Sequence, residues 1–188
     1  MKRIALLAAG LLAFSAGAFA QNWTLDKAHS RLGFSIVHNS ISNFEGNFKK
    51  FDIKLTSSKE DFSDAVVELK AEAASINTDN ERRDGHLQNA DFFDAPQFPD
   101  VIFKSTSFKK TGKNTYKISG DLTFHGVTKP VTLDGVLNGV ITPKQKTLAG
   151  FTVKGKIKRS DFNFASGMPA NMLSDEIEVV ANAEFSKD

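Results

Sequence analysis

The 188-residue chain is 40% hydrophobic and 24% charged, contains 17 Phe and no Cys, and carries a formal net charge of +2. Such an aromatic content excludes a disordered chain, and the missing cysteines exclude a disulfide-stapled miniprotein. The charge balance excludes a basic nucleic-acid surface, because Lys2 and Arg3 supply the whole excess and the remainder carries 22 basic and 22 acidic residues.

Lys2 and Arg3 precede an apolar run from Ile4 to Phe14, and Ala18-Phe19-Ala20 then offers small residues at the positions a signal peptidase reads. Residues 1–20 are therefore expected to be a secretory signal, too short for a comfortable transmembrane span. Residues 21–188 are expected to form one exported domain, with a bacterial periplasm as its compartment. Without disulfides, its stability has to come from its core.

Period-two alternation runs through this domain and predicts strands. Leu32, Phe34 and Ile36 begin it, and Phe51, Ile53 and Leu55 follow. Phe48 is out of phase with Phe51, which requires a bulge or register change at Lys49-Lys50. Val67, Leu69, Ala71 and Ala73 continue the pattern. Thr78-x-x-Glu81 is a capping-box signature, so a short helix is predicted over Thr78 to Ala90, with Gly85 inside it costing about 1 kcal/mol relative to Ala. Pro96 and Pro99 block its continuation, and Asp91 to Pro99 becomes a Phe-rich loop whose Phe92, Phe93 and Phe98 form a lid or plug. A less regular strand lies around Val101 to Phe108 and includes Phe103. Alternation returns in Tyr116 to Phe124 (with Leu122), in Val131, Leu133 and Gly135, in Phe151, Val153, Gly155 and Ile157, and in Ile177, Val179, Ala181, Ala183 and Phe185.

Short turns at Thr111-Gly112-Lys113-Asn114, at Gly126 and at Pro143 to Lys146 make these strands an antiparallel meander. About eight strands with one apolar face close most economically into a barrel. The fold class is all-β: an eight-stranded antiparallel barrel with one short helix and the Phe-rich loop. Such a barrel is either filled by its own side chains or holds one ligand. The small inward residues Ala71, Ala73, Gly120, Gly155, Ala181 and Ala183 are expected to leave a long apolar channel beside the aromatics. Alternation and the Phe-rich loop assign its lining to Phe34, Ile36, Phe48, Phe51, Ile53, Val67, Leu69, Phe92, Phe103, Leu122, Phe124, Leu133, Phe151, Val153, Ile177 and Val179. Fifteen Phe in the exported chain beside one Trp and one Tyr fit a lining that makes few hydrogen bonds, as an alkyl or prenyl chain requires.

Among polar residues, His29, Arg83, Asp84, His86 and Arg159 are the candidates for a cluster near one barrel end, pinning the helix or meeting a ligand head group. Asp84 and His86 are two apart, where helical side chains diverge. With no Cys, no HExxH and no Gly-x-Ser-x-Gly, neither a local metal site nor a serine triad is expected. Lys154, Lys156 and Lys158 share an outward face, either a solvated strand face or a transient contact with an anionic membrane surface.

The opening Trp23-Thr24-Leu25-Asp26-Lys27-Ala28-His29-Ser30, the segment Phe44-Glu45-Gly46-Asn47-Phe48, Asn80 to Leu87, Asp91-Phe92-Phe93-Asp94, Phe124 to Val131 and Lys158-Arg159-Ser160-Asp161-Phe162 resemble, in order and spacing, the successive motifs of the YceI-like family. The resemblance implies a lipocalin-like barrel that binds a long amphiphile, a polyisoprenoid or a fatty-acid-like molecule, in its pore, usually in the periplasm, and it does not imply catalysis; an isoprenoid quinone is a further expected ligand, and no cofactor beyond the bound lipid is expected. Expected partners are the lipid, the membrane surface in passing and a second copy as homodimer. Two other readings stand beside it: an enzyme acting on such a lipid through His29, Asp84 or His86, and a structural barrel with a filled interior.

Overall fold

The computed structural model describes residues 20–187, so the expected secretory signal lies outside the described residues apart from Ala20. The elements in chain order are β1 (Gln21–His38), β2 (Ser42–Phe48), β3 (Phe51–Ser57), β4 (Val66–Glu72), β5 (Ile76–Asn77), α1 (Glu81–Leu87), β6 (Asp100–Lys110), β7 (Thr115–Phe124), β8 (Val127–Ile141), β9 (Thr147–Lys158) and β10 (Leu173–Lys187). The ladders are antiparallel in the order β10-β9-β8-β7-β6-β4-β3-β1-β2-β5, and β10 also pairs with β1 to close the ring.

The ten segments make eight staves because two staves are interrupted. β2 and β3 both run antiparallel to β1, opposite residues 32–38 and 21–23 respectively, and so form one stave broken at Lys49-Lys50. That break is the register change required by the phases of Phe48 and Phe51. The next stave, β4 with β5, is broken at the same level by a 3₁₀ turn, Ala73–Ser75. Ser75 ties the two breaks together: its carbonyl accepts from Lys49 N at 2.9 Å and its hydroxyl from Lys50 N at 3.0 Å.

β1 is longer than its apolar alternation. Its polar half, Gln21 to Ser30, contains an insertion in which the register with β10 jumps from Asp26↔Glu184 to Arg31↔Asn182. Asp26 Oδ1 accepts from the amides of Ala28 and His29, giving the looped-out residues a local partner that the ladder no longer provides.

The helix starts later and ends earlier than its sequence pattern predicts. Asn80 is the cap, its side chain accepting from Arg83 N at 3.0 Å, and α1 stops at Leu87. Thr78 forms no capping box with Glu81. Its amide and hydroxyl both donate to Asp84 Oδ1, at 2.8 and 2.5 Å, so Asp84 outcompetes the backbone for this hydroxyl.

At the β7–β8 corner, His125 (φ 50°) and Gly126 (φ 73°) are both left-handed, the conformation that a two-residue hairpin turn demands. A Cβ on Gly126 would also lie 2.4 Å from the Phe98 ring, so this position needs glycine on two grounds.

The end of the barrel carrying α1, this corner and the β9–β10 connection is called the upper end. The β3–β4, β6–β7 and β8–β9 loops lie at the lower end.

Candidate ligand cavity

Two adjoining apolar chambers follow the barrel axis. The upper one, of about 180 Å³, is lined by inward side chains of β1, β2, β6, β7, β8, β9 and β10, together with Leu87 of α1 and Phe92, Phe93 and Phe164 from the upper loops. The lower one, of about 100 Å³, is lined by Ile53, Leu55, Val67, Phe108, Ile118, Phe151, Val153, Val180, Ala181, Ala183 and Phe185. Leu32, Leu69, Phe103, Leu133 and Val179 line both and form the waist between them. Leu69, Leu133, Val153 and Val179 point inward yet are only half-buried. Cavity space, not a packed neighbour, faces part of each.

Of the side chains assigned from alternation, Phe34, Ile36, Phe48, Leu122, Phe124 and Ile177 line the upper chamber, as does Phe92. Ile53, Val67, Phe151 and Val153 line the lower one, while Leu69, Phe103, Leu133 and Val179 stand at the waist. Phe51 lines neither. It opens β3 directly after the break at Lys49-Lys50, in phase with Ile53, and packs half-buried against the core beside the chambers.

The small inward residues also divide. Ala181 and Ala183 border the lower chamber, but Ala71 and Ala73 are buried in the wall. Gly120 and Gly155 leave no channel, because the space over them is filled from the next strand. A Cβ on Gly120 would lie 2.6 Å from Phe103 Cζ, and one on Gly155 would lie 2.3 Å from Leu133 Cδ2. These glycines let the two waist side chains lie flat.

Both ends carry aromatic clusters. At the upper end Phe93 packs against Phe48, Phe124 and Phe164 with ring centroids 5.8, 5.7 and 4.9 Å away, and Phe92 contacts Phe164 at 6.3 Å. Phe93 N donates to Leu87 O at 2.9 Å, and Ala95 N to Gln88 O at 3.0 Å, which folds the Phe-rich loop back onto the end of α1. The expected plug is thus made by Phe92 and Phe93. Phe98 is no part of it and packs against His125 with the rings tilted by 60° and their centroids 4.7 Å apart.

At the lower end Phe62, a single aromatic in a polar loop and invisible to any periodicity, is fully buried. It meets Trp23 and Phe151, each with centroids 5.0 Å away. Its loop is held by Asp64, which accepts from the hydroxyl of Ser57 (2.6 Å), the amides of Ser58 (2.9 Å) and Lys59 (3.2 Å), and the Ser58 hydroxyl. The two serine hydroxyls are the main reason that the Asp64 carboxyl sits well below its ordinary range. Tyr116 donates its phenol proton to Asp61 O at 2.7 Å, and Lys110 bonds Asp61 Oδ2 at 3.0 Å, which with Ser63 lowers the Asp61 carboxyl to about 2.

The polar candidates occupy three places. Arg83 donates from Nε to Thr78 Oγ1 (2.9 Å) and from Nη2 to Thr78 O (2.7 Å), and its guanidinium lies 4.4 Å from the centroid of Phe44, an upper-chamber residue. Asp84 shares the same Thr78, and the His86 ring packs edge-on against Phe92 at 5.0 Å. Arg159 is only 5% exposed and belongs to the β9–β10 connection. It donates to the carbonyls of Ser174, Phe164, Ala165, Met168 and Leu173 at 2.6–3.4 Å and contacts no cavity.

His29 lies in the β1 insertion of the lower half, away from α1. It donates to Asp26 Oδ2 at 2.9 Å, and that bond raises the imidazole above its ordinary value, with a further contribution from Glu184. Asp26, His29 and Glu184 present ligand atoms within 4.8 Å of one another, the arrangement among the described residues that could chelate a cation. His29, Asp84 and His86 therefore do not converge on one reacting centre. On the outer face Lys156 pairs with Glu176 (2.6 Å) and Glu178 (3.5 Å) of β10, so this face carries both signs of charge. Among the described residues no helix is long and apolar enough to cross a membrane.

Comparison with known proteins places these features in a family. The model of the YceI-like domain matches residues 23–185. The protein YceI of Escherichia coli is 39% identical over 178 residues, covering 92% of this chain and 91% of that protein. The crystal structure of the Campylobacter jejuni YceI protein, 39% identical, superimposes with a TM-score of 0.74 over 88% of this chain and 97% of that one. A polyisoprenoid binding domain from Saccharophagus degradans, at 16% identity and a TM-score of 0.63, shares the fold over 88% of this chain and 98% of its own.

Proposed function

The chain belongs to the YceI-like family, and on that premise we propose that it binds one long-chain amphiphilic lipid in its barrel and carries or sequesters it in the bacterial periplasm. A polyisoprenoid, an isoprenoid quinone and a fatty-acid-like molecule are the chemical classes that fit. The observation carrying this reading is the pair of adjoining chambers, whose lining is apolar throughout and whose side chains are left partly unpacked. Burying hydrocarbon there contributes about 25 cal/mol per Å² of apolar surface removed from water, and no buried polar atom has to be desolvated to admit it. The polyisoprenoid named for the Saccharophagus degradans domain is of the same chemistry.

In this reading the head group stays at the upper rim, beside Phe44 and Leu87. Arg83 is its contact residue, since two of its nitrogens are held by Thr78 and Nη1 has no acceptor among the described residues. A guanidinium fixed in this way suits a phosphate, a carboxylate or a polarised carbonyl.

The test is native mass spectrometry of the protein purified from periplasm without detergent, followed by identification of the lipid released on denaturation. One prenyl or acyl species per chain is the expected result. The Val153→Asp variant, which places a carboxylate in the lower chamber, should be folded and empty. A folded Val153→Asp protein that retains the lipid would overturn the reading. Phe124→Asp is less informative, because Phe124 also holds Phe93, Phe162 and Phe164 together and its loss threatens the fold.

A further inference from the structure

We propose that the lower chamber is a chain-end compartment, and that the Phe151 ring, backed by Phe62, sets the longest hydrocarbon chain the barrel accepts. The inference rests on the binding reading above and adds the residue that measures the ligand and the class of ligand this implies.

Phe151 is the chamber-lining ring at the centre of the lower aromatic cluster, and it reaches Trp23 through Phe62. Its centroid lies 5.0 Å from Phe62, 6.2 Å from Phe185, and 6.4 Å from both Phe108 and Tyr116. Behind it there is no room to move. Phe62 and Tyr116 are 0% and 1% exposed, so a chain reaching Phe151 meets a second aromatic layer and not water.

That layer is itself fixed. Asp64 holds the loop from below, Phe62 N donates to Lys59 O at 3.2 Å, and the Tyr116 phenol pins Asp61. The polar groups of this loop are bonded within it or to Lys110 and Tyr116, so the floor offers a terminal group only apolar carbon.

A channel closed in this way accepts a chain from one end only, and the chain must terminate in a bare hydrocarbon. The ligand is therefore a single-headed amphiphile. A molecule with a polar group at each end would have to bury one of them against Phe151 without a partner, which is strongly unfavourable. The waist makes the measurement stepwise. A short chain fills the upper chamber, and only a chain that passes Leu32, Leu69, Phe103, Leu133 and Val179 enters the lower one.

The experiment uses a homologous series of straight-chain fatty acids, lengthened two carbons at a time, displacing a fluorescent long-chain probe from the exported domain. Affinity should rise by about fourfold per methylene up to a limiting length and stop rising there. Phe151→Leu should move that limit to longer chains. Ala181→Leu, which fills the lower chamber from β10, should move it to shorter ones. An α,ω-dicarboxylic acid long enough to reach the floor should bind at least tenfold more weakly than the monoacid of the same length.

An unchanged limit in both folded variants, or equal affinity for monoacid and diacid, overturns the floor assignment while leaving lipid binding intact. If the unaltered protein binds no member of the series and no added polyprenyl lipid, the binding reading fails, and the floor assignment falls with it.

Discussion

Arg159→Ala tests the role of the most buried cation in the barrel. The guanidinium makes five hydrogen bonds to five carbonyls of residues 164–174 and has no carboxylate partner among these contacts. Bonds from a charged donor contribute about 1.5–3 kcal/mol each, and a buried carbonyl left without a partner costs about 1–3 kcal/mol. The five do not add, because Ala165 O keeps a second donor, Met168 N at 2.9 Å, and a truncated side chain admits water to the rest. A loss of about 3–4 kcal/mol is the reasoned magnitude, which for a domain of this size lowers Tm by about 10 °C. Urea denaturation of residues 21–188 measures it directly. Arg159→Lys, with one point donor in place of a planar fork, should recover less than half of the loss. A destabilisation below about 1 kcal/mol in Arg159→Ala, accompanied by weaker lipid binding, would refute the structural role and make Arg159 a head-group residue.

The pH behaviour of His29 has a definite sign. Its raised folded value means that its pairing stabilises the protein fully below the ordinary imidazole value of 6.5 and loses that effect as pH rises through the raised value. Asp26, lowered by the same bond, stabilises above 3.8 and loses its effect as pH falls through its lowered value, so the pair works between the two. In Asp26→Asn the His29 titration, followed by NMR, should fall back toward 6.5; an unmoved titration would remove Asp26 as the main cause. Two glycines should respond oppositely to alanine. Gly120→Ala puts a Cβ 2.3 Å from Lys104 O and 2.6 Å from the Phe103 ring, and should cost about 1–3 kcal/mol in urea denaturation. Gly85→Ala meets nothing within 4 Å on α1 and should stabilise by about 1 kcal/mol. Equal effects at the two positions would contradict the placement of Phe103.

The barrel and most of its lining were legible because alternation reports directly which side of a strand faces inward, and Phe103, Leu133 and Val179 carry that signal without interference. Phe62 carries none. It is an isolated aromatic among Asp61, Ser63 and Asp64, and only closure of the barrel brings it under Phe151. The first half of β1 was harder to read for a related reason: Trp23 and Leu25 alternate inward, but the insertion at Lys27 to Ser30, held by Asp26 and not by the ladder, breaks the period before Leu32 resumes it. Arg159 was legible as a candidate and not as a clamp, since its five acceptors are backbone atoms and backbone atoms leave no mark on a sequence. Thr78 misled in the opposite direction. Its spacing to Glu81 fits a capping box, but Asp84 and Arg83 compete for the same hydroxyl and are better placed.

A cavity is costly to keep in a protein without disulfides. At about 24 cal/mol per Å³ the unfilled upper chamber costs on the order of 4 kcal/mol and the lower on the order of 2 kcal/mol, against a total stability of about 5–15 kcal/mol for an ordinary domain. Replacing Ala181 or Ala183 by a larger apolar residue would recover part of that, so the small residues at the lower chamber run against stability and agree with a ligand that fills it. The remaining architecture is consistent with this. A floor loop tied by Asp64 and a connection gripped by Arg159 place the polar stabilising contacts outside the channel and leave its lining apolar. The upper cluster joins the Phe-rich loop to β2, β7 and the β9–β10 connection, and the lower one joins the β3–β4 loop to β1 and β9.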